Sequence, residues 1–183
     1  MTVPVLAQTT IWKVDKVHAS VKFEVEHLTI AIVAGQFIEF DGSMLSDKID
    51  FTDAIINFTV QTKTIDTNVE MRDQDLRSSK FFDVEKYPEM RLRSTAIEKS
   101  SNGKYVLAGD LTIKDVTNPV KFDVTYRNTV TDPWGNTRTG FRATLMIDRF
   151  DYHISFNETF GSNTLIIAPV VKIIVDAELT KSK

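Results

Sequence analysis

Cysteine is absent from this chain of 183 residues. That excludes disulfides, thiolate nucleophiles and cysteine-ligated metals, although a cysteine-free protein survives in either redox setting. Histidine is nearly absent too: His18, His27 and His153 are scattered without metal-ligand spacing, so no metal site is expected. No apolar run is long enough to cross a bilayer as a helix. No basic run stands out, and the net charge is -3 from 22 basic and 25 acidic residues. A nucleic-acid partner is not expected. GxSxG, a phosphate-cradling glycine loop and HExxH are all missing. No two carboxylates stand out as an acid/base pair, so no catalytic residue is assigned. Tyr and Trp are sparse, 4 and 2 against 12 Phe. Phe carries no polar group, so this bias suits an all-apolar lining as well as an ordinary core.

What is present is alternation. In Val21-Lys22-Phe23-Glu24-Val25-Glu26-His27 apolar and charged residues alternate without a break. Successive side chains of a strand point to opposite faces, so Val21, Phe23, Val25 and His27 share one face of a sheet wet on the other. Similar rows recur: Ala54, Ile56, Phe58 and Val60; Met90, Leu92, Ser94 and Ala96; Val120, Phe122, Val124 and Tyr126; Phe141, Ala143, Leu145 and Ile147; Val171 to Leu179, with a disturbed register near Pro169. Turn signals fall at Asp41-Gly42, Asn102-Gly103 and Asp132-Pro133-Trp134-Gly135-Asn136. Hydrophobic residues make up 42% of one domain's length. About eight strands without intervening helices predict a sandwich or an up-and-down barrel rather than βαβ units.

One segment differs. Thr67-Asn68-Val69-Glu70 reads as a capping box, with Thr67 as N-cap. A short helix follows to Arg77, and Tyr87-Pro88 returns the chain to extended backbone. Connections as long as Thr64 to Pro88 are usually functional, and on a barrel this one would lie over a rim as a lid. Its helix holds mixed charge, either a solvated face with local ion pairs or a presentation of Arg72 to a phosphate or carbonyl. Phe81-Phe82 after it would plug the barrel end. His27 is either a satisfied structural histidine or a donor to a ligand head group. His18 has the opposite parity and should point outward.

The chain begins Met1-Thr2-Val3-Pro4-Val5-Leu6-Ala7-Gln8, without a basic n-region. This is not an intact signal peptide, but Leu6-Ala7-Gln8 is compatible with the remains of a cleavage site. Residues 1–10 are expected to be disordered and residues 11–180 to form the barrel.

Trp12-Lys13-Val14-Asp15, His18 and the Val21 to His27 alternation resemble the opening of the YceI family. The likeness continues through Gly35-Gln36-Phe37 and is dense from Ile65-Asp66-Thr67-Asn68 through Arg72-Asp73, Leu76-Arg77-Ser78 and Phe81-Phe82-Asp83-Val84 to Tyr87-Pro88. It extends through Gly109 to Lys114, Thr117-Asn118-Pro119-Val120 and Asp132-Pro133-Trp134-Gly135 to Asp148-Arg149. The resemblance implies an all-β, eight-stranded antiparallel, lipocalin-like barrel with a short helical crossover lid. It implies a polyisoprenoid, an isoprenoid quinone or a similar long-chain amphiphile as ligand, no other cofactor, and a periplasmic or secreted protein. Two positions depart from the family pattern. Asp115 stands where a Gly is frequent, and Asp151-Tyr152-His153 stands where Asp-Phe-Gly is frequent.

A lipid carrier or reservoir is the leading expectation. Ten buried methylenes at about 0.8 kcal/mol each give a gross gain of about 8 kcal/mol before association costs. Expected tail contacts are Phe23, Val25, Phe37, Ile56 and Phe58, with Leu92, Phe122, Phe141 and Leu145. His27 and Arg72 are the expected head-group contacts, with Asn68 and Trp134 as further candidates. Met71, Leu76, Phe81 and Phe82 are expected in the lid. Two alternatives stay open: a lipid-modifying enzyme using His27 with a carboxylate such as Asp73, or a filled barrel acting as a protein-binding stress scaffold. Oligomeric state, a homodimer included, is not legible.

Overall fold

The computed structural model describes residues 9–161 and 163–182. The expected disorder of residues 1–10 falls mostly outside them. Thr10, which is described, is tied down: its N–H donates to Asp47 Oδ1 at 2.6 Å and its carbonyl accepts from Ser46.

Among the described residues thirteen strands form the framework. They are β1 (Ile11–Val14), β2 (Ser20–His27), β3 (Ala31–Phe37), β4 (Phe40–Leu45), β5 (Ile55–Gln61), β6 (Ile65–Asp66), β7 (Glu89–Ser101), β8 (Lys104–Ile113), β9 (Val116–Thr131), β10 (Thr137–Asp148), the hairpin pair β11 (Thr159–Phe160) and β12 (Thr164–Leu165), and β13 (Ile167–Lys181). Several are halves of one bent stave. Both β1 and β2 pair with β13, at Trp12↔Lys181 and Phe23↔Ile173. β3 and β4 likewise continue one another beside β2 and β1, and β5 and β6 beside β4 and β3. Three bent staves and the uninterrupted β7, β8, β9, β10 and β13 make eight, each antiparallel to its neighbours. The ring closes where β13 meets β1 and β2. This is the expected eight-stranded antiparallel barrel, and closure leaves it no free edge among these staves.

The helix α1 (Glu70–Arg77) lies in the crossover from β6 to β7. Its start corrects the capping-box expectation. Val69 is the N-cap, and no side chain caps the first turn. Thr67 sits earlier, where its N–H and hydroxyl both donate to the buried Asp73 carboxylate. Asp73 thus reaches back to Thr67 as the local anchor. Glu70 and Asp73 in the first turn and Arg77 in the last suit the helix dipole. Arg77 also fastens α1 to the preceding segment by donating to the carbonyls of Lys63 and Ile65.

Two turn and parity expectations fail for tertiary reasons. Asp41-Gly42 is no turn; it lies inside β4. A Cβ on Gly42 would come within 2.5 Å of the Phe58 ring, so this glycine gives the ring room across the β4–β5 pair. Along β7 a register shift between Ser94 and Ala96 reverses the expected parity: Ala96 is exposed and Ile97 turns inward. A bulge of this kind adds one residue to one side of the ladder. The disturbance expected near Pro169 is present as a register shift between Ile167 and Val171 against β2.

One end of the barrel is plugged. The β4–β5 loop, residues 46–54, is hooked by Asp53, which accepts from Ser46 Oγ and from the N–H groups of Asp47 and Lys48. This loop tucks Phe51 under Trp12, Tyr126 and Phe141, with ring centroids 5.7, 5.9 and 5.2 Å away. The opposite end carries α1, the β2–β3 turn and the segment between β10 and β13.

Candidate functional site

The barrel interior is not filled. A chamber of about 140 Å³ lies toward the Phe51 plug, lined by apolar residues apart from Ser43 and Arg91. A second, of about 450 Å³, lies toward α1. Val21, Met90, Ile113 and Ile173 belong to both walls and form a waist between them. The larger volume falls within the ordinary range for small-molecule pockets, about 300–1,000 Å³. Apolar side chains lining an eight-stranded barrel are what the alternation places there.

The expected residues divide between the chambers. Ile56, Phe58, Leu92, Phe122 and Phe141 line the plugged chamber. Phe23, Val25, Phe37 and His27 line the helix-end chamber, with Arg72, Met71, Leu76, Phe81 and Phe82 of the crossover. Leu145 faces inward between them, packed against the core on both sides, and lines neither. The crossover closes over the barrel through aromatic contacts: Phe82 meets Phe37 edge-on at 5.7 Å, and Phe81 stacks on Phe156 at 5.0 Å. Met71 is 78% exposed, so the larger chamber reaches the surface beside α1.

Polar groups gather chiefly in the larger chamber: Lys22, His27, Arg72, Asp75, Lys80 and Arg149, against Ser43 and Arg91 in the smaller one. Arg72 is partly engaged, with Nε donating to Thr67 Oγ1 at 2.7 Å and Nη2 to Thr67 O at 2.8 Å. His27 sits at the end of β2 beside Ile167 and Ala31. Among the described residues no carboxylate lies within hydrogen-bonding reach of its ring, and Asp73 is occupied by Thr67.

Arg149 is the residue that the alternation could not reveal. It lies in the 3₁₀ turn after β10, is buried, and donates to the carbonyls of Ile154, Ile167 and Ala168. Burial pushes its guanidinium pKa down from the usual value. Its only sequence signal was membership of the Asp148-Arg149 pair.

Two expected head-group residues lie elsewhere. Trp134 is 80% exposed, on the β9–β10 loop at the plugged end, where Asp132 accepts the N–H groups of Trp134 and Asn136. Asn68 is exposed and lines neither chamber. It takes a left-handed backbone at φ 61° that turns the chain into α1, so its place is set by the turn.

Asp15, His18 and Glu178 have ligand atoms within 4.8 Å of one another. A cation already occupies that cluster: Arg138 donates to Asp15 and, at 2.7 Å each, to Glu178 and Asp132. The hydrogen bond with His18, then that with Arg138, holds the Asp15 carboxyl at about 2. At Asp132 burial pushes upward, but Arg138 and Asn136 outweigh it and bring the carboxyl to about 2. The cluster ties β1, β10, β13 and the Trp134 loop together on the outer wall.

A closed antiparallel barrel with an apolar interior and a polar group set at one end is the architecture of a small-ligand container. The pattern described as YceI-like domain matches residues 12–179, and the chain belongs to the YceI family. Curated relatives include a UPF0312 protein of Vibrio parahaemolyticus, 35% identical over 84% of this chain and 82% of its own length. One from Photorhabdus laumondii is 38% identical over 74% and 70%. Among solved structures, Burkholderia cenocepacia BcnA superposes with a TM-score of 0.77 at 23% identity, covering 90% of this chain and 98% of that one. A polyisoprenoid binding domain from Saccharophagus degradans gives 0.72 at 11% identity, over 93% and 98%. At these identities the structures establish the shared fold.

Proposed function

We propose that this protein binds and carries a long-chain amphiphilic lipid, with the tail in the barrel and the head group at the α1 end. The observation that carries this reading is the asymmetry of the interior. Apart from Ser43 and Arg91 the plugged chamber is lined by apolar residues, whereas several cationic groups and an imidazole gather in the chamber at the other end. Apolar burial supplies affinity without specificity for the head, and a few polar groups fix orientation. The fold shared with a polyisoprenoid binding domain supports an isoprenoid as the tail. A binding role also fits His27, which lines the larger chamber without a carboxylate partner among the described residues. Catalysis at His27 would ordinarily need such a group to orient the ring. The two chambers speak against a filled barrel acting as a protein-binding stress scaffold.

Organic extraction of the natively purified protein, followed by mass spectrometry, tests the proposal. An amphiphile with a long apolar chain at near-equimolar yield is expected. Protein that carries no lipid and takes none up from detergent-dispersed isoprenoids would refute it.

A further inference from the structure

The waist between the chambers has an unequal composition. Val21, Ile113 and Ile173 are β-branched, which restricts each to few side-chain rotamers. Met90 is the unbranched member, and a methionine adapts its shape through three rotatable bonds. It sits on β7, is 9% exposed, and faces both chambers. A tail that runs from the larger chamber into the smaller one must pass these four side chains, and Met90 is the most adaptable of them. On the reading that the barrel holds a lipid tail, we infer that Met90 is the gate that sets how much of the tail the protein accepts.

The scale follows from β2, which runs regularly where β13 bulges. Phe23, opposite Ile173 at the waist, lies four residues from His27, opposite Ile167 at the helix end. Four residues at about 3.3 Å, tilted by about 40°, put about 10 Å of barrel axis between His27 and the waist. An extended carbon chain advances about 1.3 Å per bond, so the helix-end half takes about two isoprene units. A third unit must pass Met90. Beyond the waist the wall is almost entirely apolar, so each carbon seated there tightens binding by about fourfold before ordering costs.

Geraniol, farnesol and geranylgeraniol span this boundary, and their dissociation constants follow from displacement of a fluorescent apolar dye. In the natural protein farnesol should bind at least about tenfold tighter than geraniol. In Met90→Ile, which keeps the volume but stiffens the gate, that step should fall to within about twofold. In Met90→Ala the step should persist and farnesol should associate faster. An equal geraniol-to-farnesol step in the natural protein and Met90→Ile overturns the gate. A ligand-independent arm separates this from failure of the carrier reading. With methyl-labelled methionine, the Met90 methyl resonance (identified by its loss in Met90→Ile) should show microsecond-to-millisecond rotamer exchange in the lipid-free protein. A rigid single rotamer overturns the gate even if prenols bind. Exchange at Met90 without binding of any prenol supports the gate and removes the lipid as its client.

Discussion

Replacing Phe51 by Ala removes the plug, and the structure sets the size of the effect. Phe51 is 4% exposed although it lies in a loop. Its ring contacts three aromatic partners within 6 Å. Truncating a buried Phe to Ala costs about 3–5 kcal/mol, of which each aromatic pair accounts for about 0.5–1.5. With a urea slope of about 2 kcal/mol/M the unfolding midpoint should drop by about 2 M, and Tm by roughly 10 °C for a domain of this size. The backbone supplies a second, sharper signature. Phe51 has φ 56°, a conformation that costs a non-glycine residue about 1–2 kcal/mol. Phe51→Gly should therefore be as stable as Phe51→Ala or about 1 kcal/mol more so, the reverse of the usual order. Trp12 packs against the ring, so its fluorescence in a urea titration reports the plugged end directly. A loss below about 1 kcal/mol, or an Ala variant clearly more stable than the Gly variant, would refute the plug.

Further outcomes follow from the same geometry. Phe23→Arg places a charge in the wall of the larger chamber and should abolish uptake of an apolar dye; normal loading by a folded variant would show that the inner face is misassigned. The Phe23 ring lies where a Cβ on Gly35 would stand, so Gly35→Ala should push it into the chamber and weaken dye uptake without adding charge, read by the same titration. Asp15 and Asp132 have folded pKa values of about 2 against ordinary values of 3.8. Their contribution is thus present above pH 3.8 and is lost as pH falls toward 2. Arg138→Gln should lower Tm at neutral pH, and its stability curve should converge with that of the natural protein over that acid interval; parallel curves would contradict the linkage. His153 caps the 3₁₀ turn with φ 56° and pairs with Asp115 at the surface. Exposed pairs contribute little, so His153→Gly should raise stability by about 1 kcal/mol by releasing left-handed strain, measured by urea unfolding.

The two positions where the chain leaves the family pattern meet in space. Asp115, in the β8–β9 turn, and His153 lie within 3.2 Å of each other, and Lys114 Nζ donates to the His153 carbonyl. The left-handed φ of His153 is a conformation that glycine adopts without strain. Local chemistry made some of this legible. Asn102-Gly103 forms the expected hairpin, and the Phe23 and Phe141 rows face inward as read. Other signals were outvoted by contacts across the barrel. Gly42 is small because of Phe58, Thr67 serves Asp73 rather than a cap, and Ile97 turns inward because β7 slips against β8. Asn68 and Trp134 belong to the motifs that resemble the family, but backbone conformation and barrel end place them outside both chambers.

The sequence by itself determined the wall. A period of two is a local property, so alternation alone decides which side chains face oil and which face water, and enough such rows imply a sheet that must close. Only the tertiary structure decided what the wall encloses. The waist at Val21, Met90, Ile113 and Ile173 and the Phe51 plug each depend on side chains from staves far apart in sequence meeting at one height. That height is set by strand tilt, bulges and bends, which no single stretch of chain encodes.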